Sequence, residues 1–162
     1  MATNQKILIK AVSHALSGKG AHVDAPAVFA GLGWKTAGIR PEGAPHSVFQ
    51  LLNHMIYWQD WAVKWLDGKK PPIPKHASGS WPGDPEPAGR KEWEESLRAF
   101  RAGLDGLNRC ARESDLFAKK GKKSRLEMLQ TMAAHNSYHA GQVVLARQML
   151  GKWPPPSGGL TW

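Results

Sequence analysis

Apolar residues recur along this chain at steps of three and four in four long stretches, and nowhere in the sustained alternation of a strand. The first stretch, Asn4–Ser17, puts Ile7, Leu8, Val12, Ala15 and Leu16 on one stripe, and Gly18 and Gly20 stop it. The second begins after Ser47, whose spacing from Gln50 is that of a capping box, and continues through Leu51, Leu52, Met55, Trp58, Val63 and Leu66 to Gly68. The third covers Arg90–Arg112, with Trp93, Leu97, Phe100, Leu104 and Leu107 in step. The fourth starts at Ser124, where Glu127 completes another capping box, and carries Leu126, Leu129, Met132, Ala133, Ala140 and Val143 to Leu150.

The intervening segments are of three kinds. Asp24–Leu32 predicts a short helical turn capped by Asp24. Gly33–Pro45 reads as loop, and no strand pair or internal repeat is visible. Lys69–Gly89 holds six prolines and anchors itself with Trp81. A connection of that length is unusual in a compact domain, and it is long enough to run the length of a bundle to a non-adjacent position. The expectation is an all-α fold over residues 1–162: one four-helix bundle with a long crossover, residues 69–89, between the second and third helices. The tail, residues 153–162, is rich in Pro and Gly with Trp153 and Trp162 at its ends; disorder is one reading, packing against the bundle or a second subunit the favoured one.

Composition narrows the class. A chain of 162 residues that is 41% hydrophobic can bury a real core. Met1–Lys10 lacks the apolar run of a signal peptide, and no stretch approaches the roughly 18–20 apolar residues of a bilayer span. A soluble, cytoplasmic protein with no membrane partner is expected. The single cysteine, Cys110, excludes an internal disulfide and any multi-cysteine metal site, and near a helix end it reads as a buried thiol before it reads as a nucleophile. The net charge of +9 raises nucleic-acid binding. Its densest part is Lys119, Lys120, Lys122, Lys123 and Arg125, between the last two helices. A solvated interhelical loop is the ordinary reading; a funnel for an anionic ligand or a nucleic-acid backbone is the other. No nucleic-acid motif supports the second.

The candidate chemistry lies in the histidines. His135 and His139 stand four residues apart, on one face of the last helix and one turn from each other. The spacing is weak alone, because buried histidines at a core edge produce it too. Both abut the apolar stripe of Met132 and Val143, however, and His54 lies mid-helix in the second stretch beside apolar residues of its own. Three neutral imidazoles from two packed helices would leave open positions on a metal, as catalytic sites do. Asn136 stands where a zinc protease carries its glutamate base, which argues against peptide hydrolysis.

Several neighbours complete the picture. His46 reads as a helix-start residue, or else as a contact to a ligand or substrate. His14, His22 and His76 read as surface residues. Trp58, Trp61 and Trp65 form a stripe of the kind that is more often core or dimer interface than ligand box, although Trp58, one turn past His54, could wall a metal pocket. Tyr138 and Gln142 neighbour the histidine pair and could orient a ligand or substrate. Arg147 and the basic run could attract an anionic thiol.

Two segments carry a resemblance. His46-Ser-Val-Phe-Gln-Leu-Leu-Asn-His54-Met-Ile-Tyr-Trp58 resembles the second helix of the DinB/YfiT-like superfamily, and His135-Asn-Ser-Tyr-His139-Ala-Gly-Gln142 resembles its last helix. The two motifs in this order, about 80 residues apart, are specific where either alone is not. The resemblance covers nearly the whole chain, including the long connection. It implies a four-helix bundle, commonly a homodimer. It also implies a divalent metal, nickel or zinc in many members, on the positions of His54, His135 and His139. Members of known activity include thiol-dependent S-transferases and a thiol-dependent isomerase that use low-molecular-weight thiols, and many members have no established reaction. The leading expectation is therefore a metal-dependent enzyme of thiol S-transferase type acting on a small thiol and an electrophile. A non-catalytic metal-binding stress-response protein and a nucleic-acid binder are the alternatives. No general base is visible.

Overall fold

The computed structural model describes residues 2–113 and 115–159, and of Ala2 and Thr3 the backbone alone. Its long helices are α1 (Ala2–Ser17), α3 (Val48–Leu66), α4 (Arg90–Glu113) and α5 (Arg125–Met149); α2 (Trp34–Gly38) is a single short turn between the first two. Both expected capping boxes are present. Ser47 accepts from the Gln50 amide and Ser124 from that of Glu127, while each partner side chain returns a bond to the cap backbone. Each satisfies donors that a helix start leaves bare.

Three details differ from the sequence reading. The segment expected as loop contains α2, whose five residues are too few to show a period. Residues 24–32 hold only a 3-10 turn at Ala27–Phe29. The basic run contains a two-residue antiparallel ladder, β1 (Lys119–Lys120) with β2 (Lys123–Ser124), closed by Gly121 at φ +67°. Lysine-rich and without alternation, such a ladder leaves no pattern to read.

α3 packs against both α4 and α5, and α1 closes the ring by packing against the same two. The register between α3 and α4 is parallel. Asn53 accepts from Ser96, Gln59 faces Gly103, Val63 faces Gly106, and Asp67 binds Arg109, so both numberings rise together. Parallel neighbours need a connection that returns the full length of the helix. Residues 69–89 make that return along α3: Trp61 donates to the Pro72 carbonyl, His54 bonds to Ser80, Gln50 to Pro82 and Ser47 to Pro85. The crossover thus joins adjacent helices instead of reaching a distant one, and it lays Ser80 and Trp81 beside His54.

The core is in two parts. One cluster gathers Phe29, Val48, Leu52, Met55, Phe100 and Val143; the other gathers Leu16, Ala62, Leu66, Leu107, Leu129 and Met132. Between them runs a polar layer. Fully buried Gln59 donates to Asn136, and Asn136 donates to the Leu16 carbonyl. Gly103 admits this layer, since a Cβ there would lie 2.2 Å from Gln59 Oε1. His135 directly precedes Asn136 on α5, so this layer adjoins the predicted histidines.

The start of the tail is packed. Pro155 is buried, Pro156 lies against Gly31, and Arg147 sits over the Trp153 ring at 5.7 Å. Trp162 lies outside the described residues. No described helix is long and apolar enough to cross a membrane.

Candidate metal centre

His54 comes from the middle of α3, and His135 and His139 from successive turns of α5, where the two helices pack. One ligating nitrogen from each ring lies within 4.8 Å of the others. His54 and His139 are buried, and His135 is partly so. The ring centroids stand 4.4 to 5.2 Å apart.

Hydrogen bonds decide which nitrogens are bare. Ser80 Oγ donates to the Ala77 carbonyl, so toward His54 it can only accept, as does the Ser80 carbonyl. Both contacts, at 3.1 and 3.2 Å, therefore place the proton on His54 Nδ1 and leave Nε2 with a lone pair. Gln142 Oε1 does the same for His139, accepting from Nδ1 at 2.7 Å. Such outer partners fix the tautomer and orientation of metal-binding imidazoles. His135 has no such partner among the described residues: its Nδ1 is buried without a hydrogen bond to any of them, and its Nε2 faces His54 Nε2 at 3.3 Å.

The set fits a divalent cation. Two nitrogens about 2.0–2.1 Å from a tetrahedral metal stand roughly 3.4 Å apart, close to the separation of His54 and His135. Burial lowers the His135 pKa to about 3 and the His54 pKa to about 4, with the neighbouring imidazoles adding to each, and His139 is lowered mainly by burial. All three rings are thus neutral at pH 7, the form that ligates. Without a cation, the His54–His135 contact either opposes two lone pairs or turns a proton of His135 inward and strands its Nδ1.

Aromatic rings wall the cluster. Trp81 stacks on His54 at 3.8 Å, and His46 stacks on the other face of Trp81 at 3.6 Å, both within 10° of parallel. Trp58 stands edge-on to His54 and His135, each at 6.5 Å. Tyr138, 66% exposed, meets the His139 ring at 5.1 Å.

Other candidate residues fall elsewhere. Asn136, at the position of a protease base, is committed to the Leu16 carbonyl and Gln59. Arg147 is 2% exposed and donates to the carbonyls of Val28, Ala30 and Lys152, so it is a clamp and not a lure for anions. In the basic run, Lys120 donates to the Trp65 and Lys69 carbonyls and Arg125 to that of Leu66, capping the C-terminus of α3. His22 is not a free surface residue: it bonds Ser137 at 2.9 Å and the Val23 carbonyl at 2.8 Å. Cys110 is buried, and burial pushes its thiol pKa up, away from nucleophilic use. Ser80 was not foreseen, because a backbone carbonyl has no signature in sequence.

The family model of the DinB superfamily matches residues 21–143, which include all three histidines and the crossover. Neither the curated proteins nor the solved structures offer a match to this chain.

Proposed function

The chain belongs to the DinB superfamily, and on that premise we propose that it binds a divalent metal, nickel or zinc, through His54, His135 and His139 and transfers a low-molecular-weight thiol to a small electrophile, as a homodimer. The observation that carries the reading is the convergence of three neutral imidazoles within 4.8 Å, two with Nε2 left bare by a bond on the opposite nitrogen. A divalent cation held there supplies Lewis acidity, lowering the pKa of a thiol or water at its open positions. Ser80 and Gln142 orient two of the ligands. Trp81 and Trp58 keep water from their outer faces.

Metal content of the purified protein, measured by inductively coupled plasma mass spectrometry, tests the first half. Wild type is expected to carry about one equivalent, and His54→Ala and His139→Ala to lose it; full retention in both ends the proposal. A panel of small thiols with an electrophilic acceptor tests the second half, with conjugation expected to stop on chelation. Sedimentation velocity tests the dimer.

One observation favours a non-catalytic, metal-binding reading. The groups hydrogen-bonded to the ligands, Ser80 and Gln142, are not proton acceptors at neutral pH. A large loss of thermal stability on chelation, with no turnover on any thiol, would support it.

A further inference from the structure

An apolar cavity shares two of its wall residues, His46 and Gln142, with the surroundings of the three histidines. Its volume is about 260 Å³, and its walls include Leu51, Leu145, Ala146 and Met149 together with His46 and Gln142. No Asp, Glu, Lys or Arg among the described residues lines it. The last two wall residues belong to the metal centre as well. Gln142 holds His139, and His46 closes the stack over Trp81 and His54. On α5 the positions 139, 142, 146 and 149 advance by three and four, so one helical face carries a ligand, its orienting amide and the cavity wall. Leu145 and Met149 are 58% and 51% exposed at the mouth.

We propose that this cavity binds the apolar body of the electrophile, and that the electrophile is therefore a neutral, carbonyl-bearing molecule with an aryl or short alkyl group. This rests on the metal-centre reading above and names its substrate class. An apolar cavity of about 150 Å³ already holds benzene, so this one takes a phenyl ring and several further atoms. A carboxylate pressed against these walls would meet no Lys or Arg among their described residues and would lose its hydration there. Gln142 spends Oε1 on His139, while its amide N–H₂ has no partner among the described residues. That group is the donor for a ligand carbonyl. Hydrophilic small thiols gain nothing from such walls, which assigns the cavity to the other substrate.

Calorimetric titration of the metal-loaded protein with 4-phenyl-2-butanone, an unreactive neutral ketone, and with its anionic counterpart 3-phenylpropanoate tests the proposal. The ketone is expected to bind at least about tenfold more tightly, the scale on which a pocket separates ligands by one small group. Ala146→Phe, which fills the cavity, and Met149→Gln, a polar change at its exposed mouth that leaves the fold undisturbed, are each expected to weaken ketone binding several-fold with metal content unchanged. Equal binding of both compounds, or indifference of the ketone to both variants, overturns the proposal. So does self-association over Leu145 and Met149 that shuts the ketone out. If the protein binds no metal but the ketone preference and both variant effects persist, the cavity stands and the thiol-transfer reading falls. If metal binds and the ketone does not, the cavity assignment alone fails.

Discussion

The histidine cluster and the basic run are two groups of chemically active side chains that meet on α5: two of the three histidines lie on it, and the basic run leads into its first turn. In the basic run three of the five charges are already bonded. Lys120 and Arg125 close the carbonyls that α3 leaves open, and Lys123 bonds Thr131. In the cluster the opposite holds: Nδ1 of two rings is committed so that Nε2 is not, and the third ring brings a buried nitrogen with no hydrogen-bond partner among the described residues. A dense group of polar residues becomes a site where uncommitted atoms are held in place against water, and becomes scaffolding where they are not.

The largest effect expected from this contrast is on metal. His135→Ala should lower metal affinity by well over 100-fold, beyond the roughly 10–100-fold that an outer partner contributes, whereas Lys120→Ala and Lys123→Ala should leave the metal content of purified protein unchanged. Equal loss in both sets would erase the distinction between the regions. Gln142→Leu sharpens it, since it leaves all three ligands in place and removes the acceptor on His139; a drop of about tenfold in a competitive chelator titration is expected.

Acid provides a third comparison. In the unfolded chain the histidines titrate near 6.5, while in the metal-free folded protein burial holds His54 to about 4 and His135 to about 3. Between those values and 6.5 the unfolded state binds more protons, so stability is full above pH 6.5 and falls as pH drops toward 4. Urea midpoints of metal-free protein should be lower at pH 5 than at pH 7, and the difference should shrink in His54→Phe. A pH-independent midpoint would show that the rings are not buried as neutral groups.

Two smaller effects concern the scaffold. Gly103→Ala forces a Cβ onto Gln59 in the polar layer, and a loss of about 1–3 kcal/mol is expected in chemical denaturation. Lys120→Ala removes donors from the end of α3 and should cost about 1 kcal/mol, read as a small fall in Tm with the metal retained.

The legible part of the site was the part with a local cause. His135 and His139 share a face because four residues are about one helical turn, and Gln142 follows on that face for the same reason. The tryptophans of α3 were legible as a stripe, but the role of Trp58 as a wall depended on which helix came to lie beside it. Arg147 and His22 were misread for one reason: the partners that occupy them, the carbonyls near residue 28 and Ser137, lie more than 110 residues away in the chain.

What the chain determined by itself is the four long helices and their approximate ends, because periodicity and the two capping boxes act within a few residues. The all-α class follows from them. Tertiary structure alone decided that α3 and α4 run parallel, that residues 69–89 must therefore return along α3, and that this return delivers the Ser80 carbonyl and the Trp81 ring to His54. It also decided that His54 meets His135 at 3.3 Å. These are contacts across 26 and 81 positions of sequence, set by how whole helices pack, and no short-range preference encodes them.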